Sequence, residues 1–86
     1  MRLLNSIGRT PLVRLERLTQ GMDCEILVKI EARNPGGSIK DRPALNMIET
    51  ALRQGVLSPE GTLVEPTSGN MGIGLALVAA CMGLKL

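Results

Sequence analysis

From Ile73 to Leu84 the chain reads IGLALVAACMGL, and this run constrains the fold more than any other. Ile73, Ala76, Leu77, Ala80, Cys81 and Leu84 recur at helical spacing, and the intervening Leu75, Val78, Ala79 and Met82 are apolar as well. Such a helix expects burial on nearly every side. The run is shorter than the about 20 apolar residues a membrane span requires, so the cover has to come from protein. A chain of 86 residues without Phe, Tyr or Trp buries surface inefficiently and lacks the large aromatic areas that anchor small folds. It is expected to be the front of a larger protein.

The remaining elements suit that expectation. PLVRL, from Pro11 to Leu15, and EILVKIE, from Glu25 to Glu31, read as strands. In the second, Ile26, Val28 and Ile30 share one face and Leu27 and Lys29 the other, and a connection containing Gly21 makes the two a hairpin. Asn34, Pro35, Gly36 and Gly37 form a turn. Ala44, Leu45, Ile48, Ala51 and Leu52 then mark an amphipathic helix starting at Asp41 or Arg42 and stopped by Gly55, with Glu49 and Arg53 as an exposed pair four residues apart. Ser38 and Asp41 resemble a capping box, while Pro43 would remove a donor from the second turn. Thr62 to Pro66 is the next strand, and the apolar helix ends near Gly83. Strand, helix, strand, helix predicts an α/β fold that opens a parallel sheet.

Composition removes several functions. The net charge is +2 with basic residues scattered along the chain, so there is no block of charge for nucleic acid, and no aromatic residue on which bases could stack. The two cysteines, Cys24 and Cys81, are far apart and there is no His, which argues against a metal site and excludes Ser-His-Asp and Cys-His machinery within these residues. Both cysteines are expected to be small buried hydrophobes in a reducing compartment. MRLLNSIGR lacks a signal-type apolar core, so a cytoplasmic protein without membrane partners is expected.

Two places can carry chemistry. Lys40 follows a Gly-rich turn and lies in or near the first turn of a helix, where the positive end of the helix and Arg42 oppose an ammonium and Asp41 offsets them in part. The free amine is the form that attacks a carbonyl; the bland alternative is a solvated lysine. The second place is the segment Thr67-Ser68-Gly69-Asn70-Met71-Gly72, between a strand and a helix. Its hydroxyls, its amide and the backbone exposed by its glycines suit an anion. The bland alternative is a helix entry capped by Ser68 or Thr67. GNMGIG does not match the dinucleotide fingerprint, and no P-loop occurs. The carboxylates Glu31, Asp41, Glu49, Glu60 and Glu65 read as solvated charges.

Taken together, IGRTPLVRL, NPGGSIKDR and EPTSGNMGIGLA, in this order and spacing, resemble the N-terminal part of cysteine synthase (O-acetylserine sulfhydrylase). That enzyme is a fold-type II pyridoxal-phosphate enzyme related to cystathionine β-synthase. The resemblance runs through essentially the whole chain. It implies residues 1–34 as N-terminal strands and 35–86 as the start of the smaller α/β domain.

The resemblance also implies roles. Lys40 would bond covalently to the aldehyde of pyridoxal 5′-phosphate, and Asn70 would contact that cofactor's ring oxygen. Thr67, Ser68, Gly69, Asn70 and the backbone of Met71 would bind the carboxylate of an amino-acid substrate. Met71 stands where the family commonly has Thr, so a hydroxyl contact is missing; His commonly follows the Asn in the related dehydratases, so Met71 argues against them. The implied reaction is β-replacement, which turns O-acetylserine and sulfide into cysteine and acetate, in a homodimer when full length. The alternatives are cystathionine β-synthase-type replacement and a truncated product inactive by itself. The family's phosphate-binding loop and the group facing its pyridine nitrogen come further downstream than these residues.

Overall fold

The computed structural model describes residues 2–67 and 69–86. A short helix α1 (Arg2–Asn5) is followed by strands β1 (Leu12–Arg14) and β2 (Leu27–Lys29), a 3-10 turn over Glu31–Arg33, and the helices α2 (Asp41–Arg53) and α3 (Asn70–Met82). The strands pair antiparallel, with Val13 opposite Val28. This is the expected hairpin with shorter strands, and Val28 and Ile30 are half-buried while Leu27 and Lys29 are exposed.

Between Thr62 and Pro66 no regular strand forms. That segment instead makes one parallel bridge, Thr62 with Lys85, in which the Leu63 N–H donates to the Lys85 carbonyl at 2.7 Å. Both partners are single extended residues, so the parallel pairing expected after α3 is present as one rung.

The core is the seam between α2 and α3. Ala44, Ile48, Leu75, Val78 and Ala79 are buried there, joined by Leu4 of α1 and by Leu84. Each large aliphatic side chain buried this way contributes about 1.5–3 kcal/mol. Both helices end in left-handed glycines. Gly55 has φ +75°, and the Val56 N–H donates to the Ala51 carbonyl; Gly83 has φ +73°, and the Leu84 N–H donates to Ala79. These are Schellman closures, and the second turns Leu84 back onto the core. The hairpin lies largely outside this core. The molecule measures 55 × 25 × 20 Å with a radius of gyration of 16.5 Å, against about 12 Å for a compact chain of this length.

Polar contacts tie the hairpin end to α2. Arg42 Nε donates to Glu31 Oε1 at 2.5 Å and Nη2 to Oε2 at 2.9 Å, a bidentate pair. Thr10 Oγ1 donates to Glu31 Oε2 at 2.5 Å, Lys29 Nζ donates to the Thr10 carbonyl, and Arg42 Nη2 also reaches the Gly8 carbonyl at 3.0 Å. Glu31 is therefore not the solvated charge expected of it. The hydrogen bonds from Arg42 first, then from Thr10, lower its carboxyl from 4.5 to about 2 against the opposing effect of burial. Arg42 is raised in turn by its hydrogen bond to Glu31.

Other local expectations change as well. Arg53 donates to Thr50 Oγ1 at 3.3 Å and forms no ion pair with Glu49 among the described residues. Cys24, expected to be buried, is exposed because it falls in the irregular segment before β2, whereas Cys81 is half-buried against the core. On α3 only Gly74, Leu75, Val78 and Ala79 are buried, and Ile73 is 53% exposed, so these residues cover one side of a helix that is apolar all round.

Two outcomes test this account. In the complete protein, Ile48→Ala is expected to lower the unfolding free energy by about 2–5 kcal/mol, read by urea titration. The Glu31 carboxyl binds its proton less readily folded than unfolded, so its contribution is whole above 4.5 and is lost as pH falls toward about 2. Melting curves taken at descending pH should show that loss in the native protein, and Glu31→Gln should remove this component.

Candidate active site

Lys40 stands where a turn becomes a helix, and three side chains shape that turn. Gly37 has φ +88° and donates its N–H to the Asn34 carbonyl at 2.8 Å, a conformation that favours glycine. Asn34 is buried, 4% exposed. Its amide donates to the Glu31 and Ser38 carbonyls at 3.0 Å each, and its oxygen accepts the Gly8 N–H at 2.7 Å. Ser38 Oγ accepts the Lys40 N–H at 3.1 Å.

The expected capping box does not form. Lys40 is itself the N-cap, with helical φ and ψ, and no side chain caps α2. Asp41 turns back instead: its Oδ2 accepts the Gly36 N–H at 2.6 Å. Pro43 falls in the first turn, where its missing N–H has no intrahelical acceptor to lose. Asp41 is fully buried, which corrects its reading as a solvated charge, and Arg42 is drawn away to Glu31. The Lys40 side chain is exposed, and among the described residues no hydrogen bond or ion pair engages its ammonium.

The second segment meets the first through a glycine. A Cβ at Gly74 would lie 3.1 Å from both the Ala44 Cβ and the Lys40 carbonyl oxygen, so the two helices touch where both begin. Asn70, the first residue of α3, is one turn before Gly74 on the same face and is exposed. The structure thus brings Lys40 and the start of α3 to one end of the helix pair.

Thr67 acts partly as the bland reading expects, since its Oγ1 accepts the Gly72 N–H at 3.1 Å although Gly69 is the N-cap. Its hydroxyl hydrogen stays available for donation. Ser68 lies outside the described residues. Gly69 is extended, with φ −137°. Met71 is half-buried and packs against the aliphatic core, so its side chain serves packing while its N–H stands in the first turn of α3. The N–H groups of Asn70 and Met71 have no backbone acceptor among the described residues, as expected of a helix N-terminus.

Two concavities among the described residues lie away from Lys40 and Asn70. The larger, about 580 Å³, follows Val13–Leu18; the other, about 190 Å³, is apolar and lies between α2 and residues 63–65. Lys40 and Asn70 occupy an open edge. Sequence reasoning missed Asn34, Glu31 and Asp41 as the supports of the turn. The three-residue step from Glu31 to Asn34 ahead of a Pro-Gly-Gly turn was the available signal.

The chain is similar to known proteins over nearly its whole length. The family model described as pyridoxal-phosphate dependent enzyme matches residues 3–86. A cysteine synthase from Flavobacterium sp. is 58% identical over 96% of this chain and 27% of its own length. A cystathionine beta-synthase from Rattus norvegicus is 54% identical over 96% of this chain and 15% of its own. The crystal structure of a hydrogen sulfide-producing enzyme from Fusobacterium nucleatum superposes with a TM-score of 0.84 at 45% identity, covering 98% of this chain and 28% of that one. The chain spans about a quarter or less of these relatives. It belongs to the pyridoxal-phosphate dependent enzyme family, as an α/β segment of the fold-type II architecture.

Proposed function

We propose that this chain is the N-terminal part of a cysteine-synthase-type enzyme that converts O-acetylserine and sulfide into cysteine and acetate. The observation that carries the reading is Lys40 itself: exposed, its amine unpaired among the described residues, and its backbone carbonyl packed against Gly74 of α3. A pyridoxal cofactor needs a free amine for its aldehyde, and an amino-acid substrate needs donors for its carboxylate. The amine of Lys40 and the amide of Asn70 fit the cofactor, and Thr67, Ser68, Gly69, Asn70 and the Met71 N–H fit the carboxylate.

When bound, the cofactor supplies the electron sink for bond breaking at the substrate's α-carbon. Lys40 would hold the cofactor through Nζ and, with that amine free, would accept the substrate's α-proton there. After sulfide had replaced acetate at the β-carbon, Lys40 Nζ would return the proton. One amine serves as tether and base in turn, which suits a segment without His. The N–H groups at the start of α3 and the positive end of that helix hold the carboxylate while this happens. Thr67 donates its remaining hydroxyl hydrogen.

A cystathionine β-synthase-type replacement is the second reading, supported by the rat relative at 54% identity. The proposal takes the complete enzyme as a homodimer in the cytoplasm. Two free cysteines suit a reducing compartment, and no helix among the described residues is long and apolar enough to cross a membrane.

In the complete enzyme Lys40→Ala is expected to abolish both turnover and covalent retention of the cofactor, read by borohydride reduction and peptide mass; unchanged kinetics would remove the mechanism. Ser68→Ala is expected mainly to raise KM, and a fall confined to kcat would count against carboxylate binding there. The 86-residue chain alone, with Ile73 and much of α3 uncovered, is expected to hold pyridoxal phosphate weakly or not at all. A stable Lys40 adduct after reduction would contradict that.

A further inference from the structure

Asp41 is fully buried, yet only one of its carboxylate oxygens is satisfied. Oδ2 accepts the Gly36 N–H at 2.6 Å, whereas Oδ1 is buried with no hydrogen-bond partner among the described residues. Glycines flank this carboxylate in the turn and in α3. A Cβ at Gly36 would come within 2.2 Å of Oδ1, and a Cβ at Gly74 within 3.3 Å of Oδ1 and 3.1 Å of the Lys40 carbonyl. The close approach of the carboxylate therefore accounts for Gly36 and bears on Gly74, and the group sits between the turn before Lys40 and the helix packed on Lys40.

A buried acceptor without a partner is a cost. What the side chain gains is one short contact that closes the segment 36–41 into a ring, with Lys40 inside it. Reactive groups are held to tolerance by neighbours whose own positions are locked by packing and hydrogen bonds. We propose that Asp41 is a positioning residue: it fixes the backbone from which Lys40 projects, so that the amine meets the cofactor's aldehyde from one direction. This inference rests on the reading of Lys40 as the cofactor-bearing residue.

The test uses the complete enzyme, freed of cofactor and then given pyridoxal phosphate, with the rate of Lys40-linked product followed by borohydride quenching and peptide mass. Asp41→Ala is expected to slow linkage about tenfold or more, because small misplacements of reacting groups are costly. Asp41→Asn keeps an acceptor for the Gly36 N–H and is expected to restore linkage to within about twofold of wild type. A merely structural role would instead lower the melting temperature of Asp41→Ala and leave its linkage rate at the wild-type value, which would overturn the proposal.

Hydrogen exchange on the cofactor-free wild type needs no variant. The Gly36 amide should be protected well above the solvent-facing turn amides, and exchange at their rate would also overturn it. Lys40→Ala is the control. A linked cofactor in that variant sinks the reading of Lys40; loss of linkage there with normal linkage in Asp41→Ala sinks only the role of Asp41.

Discussion

The contact of Gly74 with the Lys40 carbonyl and Ala44 is the constraint on which the rest of the structure depends. Any larger side chain at position 74 meets neighbours that are backbone or fully buried, so the helices approach closely only because that position is bare. The approach buries Ile48 with Leu75 and Val78 in one cluster, and it sets the Lys40 backbone against α3 near its start. Packing and site geometry share one cause. A core made only of aliphatic side chains, with no aromatic residue to wedge the helices apart, makes such an approach available.

Much of this was legible in the residues. The period of Ala44, Ile48 and Leu52 located α2, the alternation around Val28 located β2, and Gly55 and Gly83 marked the two helix ends where left-handed closures occur. These features are local, and local chemistry decides them. The segment from Thr62 to Pro66 was not legible in the same way, because a strand in a parallel sheet is made by its neighbours. Here the described residues give it a single rung, with Lys85. Propensity alone does not complete a strand.

The charges show the same division more sharply. Glu31, Asp41 and Arg42 were indistinguishable by composition from solvated residues, and their roles come from long-range placement. Glu31 meets Arg42 across eleven positions of sequence and Asp41 reaches back to Gly36. The identity of Lys40 and Asn70 as candidates came from motif and resemblance. What holds the turn before Lys40 in place is a network of hydrogen bonds that only folding assembles.

The lone rung between Thr62 and Lys85 carries a consequence for solubility. Among the described residues the Val64 and Glu65 backbone groups beyond it have no hydrogen-bond partner, and Val64 is 89% exposed. Extended, apolar and unpaired backbone recruits any stray strand of like character. This edge is where clumping between copies would begin, and a charged residue in place of Val64 would act as a gatekeeper against it.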